Sequence, residues 1–456
     1  MANNQFSSRI GLIAATVGSA VGLGTVWRFP AETQQGGGAA FLLLYIFFVL
    51  ILGIPVMLGE FTVGRAGGSD PIGSFTRLSG NKQVWKLAGA LGVMTAFLIL
   101  TYYMVVAGWT VEYLWQSITG SLYQPTANIG NEAVADADFT AKMAQGIQSV
   151  WSPVIFTAII IALNIFILIG GITKGIERLS NILMPMLFLL LLGFCFVTLS
   201  LPKAAEGLDF FFRPDFSRIT PTVCLKALGQ AFFSLSLGMG ILITYASYFP
   251  ASTRLIRTSV TVSSIVLVVA IMMGIIIFPA VMSFGLEDHA IAGTGLVFVT
   301  LPEVFSRMPL TRLWSALFFL LLGVAAVTST ISMAEVPIRF VQDRFHFSRR
   351  NAVLIILLPF FVFSTVCSLS LGVWSHITLF GMTLFDLLDY VTSNIMLPLA
   401  ALSVCLFLGW FAPKDLLHSQ LTNNGQLTNR LVGIISFIIR WIAPILICIL
   451  LISPLF

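Results

Sequence analysis

Charge is scarce in this chain. Only 9% of its residues are Asp, Glu, Lys or Arg, against about a quarter in a typical soluble domain. Hydrophobic residues make up 57% of the 456 positions, and the mean hydropathy is +0.97. A water-soluble globule has no interior large enough for that much apolar side chain. Intrinsic disorder, a collagen-like repeat and a soluble nucleic-acid binder are excluded on the same grounds. The five cysteines (Cys195, Cys224, Cys367, Cys405, Cys448) are dispersed without a CxxC spacing, so neither a disulfide framework nor a zinc site is indicated. His289, His346, His376 and His418 also lack ligand spacing. The N-terminal MANNQFSSRIG shows no A-x-A cleavage pattern, and no cleavable signal is expected. HExxH, GxSxG, a P-loop and paired catalytic carboxylates are all missing, which argues against an enzyme and against ATP drive.

What is present is a succession of long apolar runs. A helix needs about 20 apolar residues to cross a bilayer. Eleven candidates are read: 9–36, 39–64, 86–118, 151–171, 177–200, 222–249, 258–285, 312–341, 350–372, 377–411 and 430–453. Short-loop Lys and Arg set orientation. One side holds Arg9, Arg65, Arg77, Lys82, Lys86, Lys174, Arg178, Arg254, Arg257, Arg339, Arg344, Arg349, Arg350, Lys414 and Arg430. The other holds Lys142, Lys203, Arg213, Arg218, Lys226, Arg307 and Arg312, a ratio of 15 to 7 that also accounts for much of the net charge of +5. The expectation is a multi-pass protein of the inner (plasma) membrane with a cytoplasmic N-terminus and, from the odd span count, an extracytoplasmic C-terminus. The connections 119–150 and 201–221 are expected to be passive linkers, and 286–311 to pack across an outer vestibule.

The first span, IGLIAATVGSAVGLGTVWRFP, and the sixth, LGQAFFSLSLGMGILITYASY, are each interrupted by G-x-G, at Gly22 and Gly24 and at Gly238 and Gly240. The interruptions fall five spans apart. Glycine-broken spans at matching positions point to the midplane site of a secondary transporter. Backbone groups unpaired at that depth cost several kcal/mol each unless protein, water or ligand satisfies them. A broken helix offers carbonyls from its first half to a cation and amides from its second half to an anion. Glycines also permit close helix packing, but two equivalent breaks flanked by hydroxyl residues weigh toward a site.

Several segments carry a further resemblance. GSAVGLGTVWRFP (18–30), GGGAAF (36–41), GIPVMLGEFTVGR (53–65), KGIERLSNILMP (174–185), GQAFFSLSLGMGILITYASY (229–248) and VTSTISMAEVP (327–337) resemble the neurotransmitter:sodium symporter family, especially its bacterial amino-acid transporters. The resemblance extends over spans 1–10. It implies an all-α fold in one transporter domain over 1–456, with inverted five-helix repeats at 9–200 and 222–411 and an additional span at 430–453. Some bacterial members likewise lack a twelfth span.

The resemblance also implies site residues. The family's second sodium site maps onto the carbonyls of Gly18, Val21 and Ala325 and the hydroxyls of Thr328 and Ser329, a set of hard oxygen ligands. Taken alone, Thr328 and Ser329 are equally suited to bonding back within their own helix. The first sodium site maps onto the Ala20 carbonyl, Thr25 in place of a side-chain amide, Ser234, and a span 7 position that aligns with Val266. The nearby carboxylate of chloride-independent members aligns with Ala270. Valine offers no ligand and threonine one oxygen, so coupling is expected to run mainly through the second site. A two-residue slip of that alignment would bring in Ser264. One sodium ion is expected, two are not excluded, and chloride is left open.

For the substrate, the amides of Leu23 and Gly24 and the Tyr103 hydroxyl match the family's carboxylate cradle. Ile99, Ser236, Met239, Ser329 and Met333 match the side-chain pocket, with Ser19, Ala20 and Ser234 beside it and Phe233 as lid. Two methionines make an adaptable apolar lining, suited to a bulky hydrophobic or aromatic amino acid, though core filling explains them equally well. Arg28 and Asp389 match an outer ion pair, with Asp386 one turn away. At the inner face Asp343 and Tyr248 are retained, while the family's N-terminal Arg and Trp align with Asn3 and Phe6. That latch looks weakened unless Arg9 substitutes. Gly175 and Pro185 match the G-x9-P hinge of span 5. The leading expectation is sodium-coupled uptake of a hydrophobic amino acid by a monomer or loose dimer with no nucleic-acid partner. Proton coupling through Glu60 or Glu335, and a non-transporting amino-acid sensor, are the alternatives.

Overall fold

The structure is a computed structural model that describes residues 5–124, 138–286, 293–427 and 431–452. It is helical throughout, apart from an isolated bridge between Leu379 and Met382. Among the described residues, nine helices are long and apolar enough to cross a membrane. They are span 2 (Ala39–Gly67), span 3 (Gln83–Thr119), span 4 (Trp151–Ile169), span 5 (Ile172–Leu199), span 7 (Leu255–Ser283), span 8 (Thr311–Phe345), span 9 (Arg349–Leu371), span 10 (Leu384–Phe411) and span 11 (Leu431–Ile452). Span 1 is a bent pair, Arg9–Ala20 and Gly24–Gln35, whose halves meet at 54°. Span 6 is also broken, into Pro221–Ser234 and Ile241–Ala246. Nine of the eleven expected spans are therefore continuous apolar helices among the described residues. Span 1 is long enough only as its bent pair, and each half of span 6 is too short to cross alone.

Local chemistry sets the boundaries. Ser8 caps span 1 by accepting from the Gly11 amide, and Ser348 caps span 9 by accepting from Asn351. Thr220 caps span 6 ahead of Pro221, where proline's missing N–H costs nothing. Thr383 caps span 10, which therefore starts at Leu384 rather than at 377; residues 372–383 form a separate hairpin loop.

The connections are less passive than expected. Ala204–Phe212 is a helix whose Phe210 and Phe211 rings lie 5.0 and 5.3 Å from Phe278 of span 7. Phe139–Gln148 is a second helix, although most of the preceding connection lies outside the described residues. Leu296–Ser306 forms a short apolar helix, and Gly293 and Thr294 just before it line a vestibule beside Arg28 and Asp386. Spans 3, 7 and 8 are the most enclosed. Spans 4 and 5 turn side chains such as Phe166 (80% exposed) and Phe196 (75%) outward, where lipid rather than water is the natural neighbour. The enclosed spans surround the two breaks.

Candidate functional site

Span 1 leaves its helix after Ala20 and resumes at Gly24. Several of the peptide groups freed there meet a named partner. The Leu23 amide donates to the Tyr103 hydroxyl oxygen (2.8 Å). The Ser19 carbonyl accepts from the Ser236 hydroxyl (2.8 Å), which joins the two breaks directly. The Ala20 carbonyl accepts from Thr25 (3.1 Å), and the Gly24 carbonyl from the Gln230 side-chain amide (2.9 Å).

The second break is longer than its G-x-G suggests and opens right after Ser234. Ser236, Gly238 and Gly240 have φ of +54°, +78° and +69°. Glycine adopts that region without penalty, and Ser236 is held in it by its bond to Ser19. The Gly238 amide donates to Glu60 Oε1 at 2.7 Å. Both breaks thus satisfy their backbone through side chains from spans 2, 3 and 6, the condition for irregular backbone at membrane depth.

Between the breaks lies a small pocket of mostly buried residues, lined by Ser19, Ala20, Gly22, Gly24, Ile99, Tyr103, Phe233, Ser236, Met239, Ile241, Ser329 and Met333. It contains ten of the twelve substrate positions read from the sequence. Leu23 faces the vestibule instead, though its amide reaches Tyr103. Ser234 sits off the lining and accepts from the Tyr45 hydroxyl at 2.8 Å. Sequence reading missed Gly22 and Ile241 as lining residues and Tyr45 and Gln230 as supports. Gly22 was legible as part of the G-x-G and Gln230 as a lone amide one turn before the second break. Nothing in the sequence singled out Tyr45.

The free volume of the pocket is about 20 Å³, room for roughly one water. Phe233 closes it on one side, and beyond Phe233 a vestibule of about 360 Å³ is lined by Trp27, Arg28, Tyr102, Phe385, Asp386 and Asp389.

Gly18 stands opposite Thr328 and Ser329. The Ser329 hydroxyl approaches the Gly18 carbonyl at 3.4 Å. The Thr328 hydroxyl turns back to the carbonyls of Ala325 (3.0 Å) and Val324 (3.2 Å). A Cβ on Gly18 would lie 3.2 Å from Thr328 Cβ, so the two spans pack closely here. At the other mapped cation site the Thr25 hydroxyl is engaged by Ala20, and Val266 and Ala270 are buried without a polar atom. Ser264 is exposed and is not brought to the site by any slip of the alignment.

The gate residues depart from expectation. Arg28 and Asp389 share the vestibule wall but form no ion pair among the described residues. Arg28 instead lies 4.7 Å from the centroid of the Phe233 ring, and Asp389 accepts from Ser393 at 3.1 Å. At the N-terminal face Arg9 is exposed and forms no ion pair among the described residues, while Asn3 lies outside them. Asp343 pairs with Arg339 of its own helix (3.0 Å) and accepts from Ser69 and the Asp70 amide (2.8 and 3.0 Å). Burial, reinforced by Asp343 and partly offset by the Gly73 and Ile72 amides, raises the Asp70 carboxyl above the usual range. Tyr248 donates to Glu335 (2.8 Å), whose two oxygens also receive Arg349 at 2.8 and 2.6 Å.

Another residue holds the N-terminal segment. Buried Glu177 accepts from the amides of Ser7 and Ser8 (2.8 and 3.0 Å) and from both their hydroxyls (2.8 Å each). Phe6 is buried beside it, its ring 5.9 Å from Tyr245 and 6.4 Å from Tyr248. Glu177 ends the π-helical stretch Ile172–Glu177 that contains Gly175, and the following helix runs unbroken through Pro185.

A bundle with two interrupted helices around a buried, mainly apolar pocket is the architecture of a membrane secondary transporter. The model of the sodium:neurotransmitter symporter family matches residues 3–137 and 137–456. The chain belongs to that family. It is 34% identical to a sodium-dependent transporter of Bacillus subtilis over 98% of this chain and 96% of that one. It is 35% identical to a sodium-dependent transporter of Haemophilus influenzae, with 99% and 98% covered. The solved structure of MhsT in complex with L-phenylalanine superimposes with a TM-score of 0.88 at 40% identity, over 99% of each chain. The chain is accordingly a multi-pass, sodium-dependent transporter and not an enzyme.

Proposed function

We propose that the chain imports a hydrophobic or aromatic amino acid by alternating access, driven by sodium bound mainly among Gly18, Val21, Ala325, Thr328 and Ser329. The observation that carries this reading is the two-ended pocket. One end offers the Leu23 and Gly24 amides and the Tyr103 hydroxyl, at the start of a half-helix where a carboxylate is favoured. Gly22 leaves no room there for a side chain, since a Cβ would run into Ser329 and sit 2.7 Å from the Tyr103 hydroxyl. The other end is Ile99, Met239, Ile241 and Met333. MhsT, which binds L-phenylalanine, is similar over nearly its whole length.

The sodium assignment rests on donor chemistry. Three carbonyls and two hydroxyls make an uncharged, all-oxygen cage, suited to a hard monovalent cation. Their hydroxyl protons point at the carbonyls that the ion would engage, so binding turns them away and draws spans 1 and 8 together. The first site retains too few free oxygens, which favours a single coupling ion. Ligand pockets typically measure about 300–1,000 Å³, so substrate must displace Phe233 and repack the flexible methionines. The vestibule supplies the access route, and Arg28 on Phe233 ties lid to gate. On the opposite face, release of Phe6 and of the Ser7–Ser8 segment from Glu177 frees the stretch around Gly175, and unwinding toward Pro185 exposes the cation. The 15-to-7 bias in Lys and Arg makes the N-terminal face cytoplasmic. Breaks five spans apart favour two inverted repeats.

The test is phenylalanine uptake into proteoliposomes under sodium, potassium and proton gradients imposed separately. Accumulation under the sodium gradient alone is expected, and uptake indifferent to sodium overturns the coupling. One observation favours a proton-driven alternative: Glu60 Oε2 is buried without a hydrogen-bond partner among the described residues. A pH jump without sodium would then drive uptake, and Glu60→Gln would abolish it.

A further inference from the structure

From Asn351 to Phe385 the chain holds no Lys, Arg, Asp or Glu, yet span 9 ends at Leu371. The connection 372–383 is therefore uncharged apart from the titratable His376. The connection between spans 5 and 6, on the same face, carries Lys203, Glu206, Asp209, Arg213, Asp215 and Arg218. The uncharged connection is also ordered. Leu379 and Met382 exchange both backbone hydrogen bonds, at 2.9 and 3.0 Å. They close a two-residue turn on Phe380 and Gly381, with φ of +54° and +77°. Positive φ at both central positions is the mirror-image turn that suits a hairpin, and a bulky residue there is unusual. The turn holds the Phe380 ring out at the tip, 92% exposed, with Ile377 and Leu379 also exposed beside it.

We propose that this hairpin is a membrane anchor, its tip of Phe380, Ile377 and Leu379 seated in the lipid leaflet on the vestibule face. Three features select lipid as the occupant. The apolar surface runs back from the tip through the exposed Val373 toward span 9, whose Leu358, Phe361 and Val362 also face outward. The root of the loop lies at an interfacial level: Gly372 packs on the Ile147 carbonyl and Gln148, just before the exposed Trp151 that opens span 4. Trp374 follows Gly372 by two residues, and tryptophan concentrates at membrane interfaces. The loop also brings no fixed charge into the headgroup region, so seating it desolvates none.

The anchor bears on transport because the hairpin leads directly into the first turns of span 10. There the Phe385 amide donates to the Ser370 hydroxyl (3.2 Å), and the Phe385 ring lies 5.4 Å from Tyr102 and 6.2 Å from Trp109 of span 3. Asp386 and Asp389 of the same segment line the vestibule. One wall of the vestibule is thus fixed to span 3 at its base and to the bilayer at its tip.

The test is collision accessibility of a spin label in lipid nanodiscs. The half-buried Cys224 and Cys448 are first replaced by serine; the other three cysteines are buried. A label on Phe380→Cys is expected to be relaxed by lipid-soluble oxygen several-fold more, relative to a water-soluble nickel chelate, than one on Ser217→Cys in the charged connection. Equal ratios at the two sites would mean an aqueous hairpin and overturn the proposal. Shielding from both reagents together with dipolar coupling between labels would mean a second copy covers the tip, and overturns it equally. Should Phe380→Cys fail to fold, Ile377→Cys beside it reads the same face.

Discussion

The Ser329 hydroxyl lies 3.4 Å from the Gly18 carbonyl, across the gap between spans 8 and 1. Hydroxyl–carbonyl bonds usually close to about 2.7–2.8 Å, so this contact is loose where the flanking bonds, such as Ser236 to Ser19 at 2.8 Å, are tight. Both facing atoms are oxygens, although Thr328 and Met184 carbons pack close to Gly18 beside them. A cation that takes both atoms as ligands replaces a weak contact with two strong ones.

Thr328→Ala is therefore expected to raise the sodium concentration for half-maximal substrate binding by about tenfold or more, since a hydrogen-bonding group to a charge contributes about 1.5–3 kcal/mol. The fold should tolerate the change, because the Thr328 hydroxyl bonds only to its own helix. Val266→Ala should leave the sodium dependence nearly unchanged. Binding isotherms over a sodium titration decide the matter; an equal effect of the valine change would mean that the first site holds an ion.

At the substrate end, Tyr103→Phe removes the acceptor of the Leu23 amide and should weaken L-phenylalanine binding by about tenfold, the cost of leaving a buried donor unpaired. Gly22→Ala is expected to be harsher, because its methyl would occupy space held by Ser329 and Tyr103. Equilibrium binding at saturating sodium separates the two. If Gly22→Ala bound phenylalanine as well as the parent, the carboxylate would have to lie elsewhere.

How much of this was legible beforehand follows from the physics of each element. Eleven apolar runs and two G-x-G breaks are properties of composition and spacing. Nine long apolar helices and both breaks appear among the described residues, with span 10 beginning later than expected. Ten lining residues of the pocket followed from motif resemblance, since the broken segments dictate which side chains converge. The gates were not legible. Arg28 and Asp389 read as a pair because they match the family's outer ion pair, but Arg28 instead lies over the face of Phe233. Asp343 read as half of an N-terminal latch, yet Arg339, one turn before it on the same helix, reaches it first. Such choices depend on rotamers and a few tenths of an ångström. The hairpin at 379–382 was absorbed into span 10 because it is as apolar as the helix that follows.

Arg349 and Glu335 supply a stability test. Glu335 is fully buried, and both its oxygens are held by Arg349. Arg349→Ala strands that carboxylate and should cost about 3–5 kcal/mol, read as a lowered midpoint of thermal unfolding in detergent. The double variant Arg349→Met with Glu335→Leu should recover much of the loss, because two apolar groups leave no unpaired charge. A double variant as unstable as Arg349→Ala would assign the loss to packing by the arginine stem.

Glu177 presents the opposite case, a buried carboxylate with no cation within 4 Å among the described residues, satisfied instead by four donors from Ser7 and Ser8. It touches neither the pocket nor the mapped cation ligands, so its loss should act on the conformational balance alone. Glu177→Ala is expected to release residues 5–20, seen as faster amide hydrogen exchange there, while the same segment stays protected in Phe233→Ala. Deleting residues 1–8 should reproduce the effect. Adding Glu177→Ala to the deletion should then change little, because the two remove one interaction and are not additive. Additive effects would mean that Glu177 holds something other than the N-terminal segment, and that Phe6 closes this face by its own packing against Tyr245 and Tyr248.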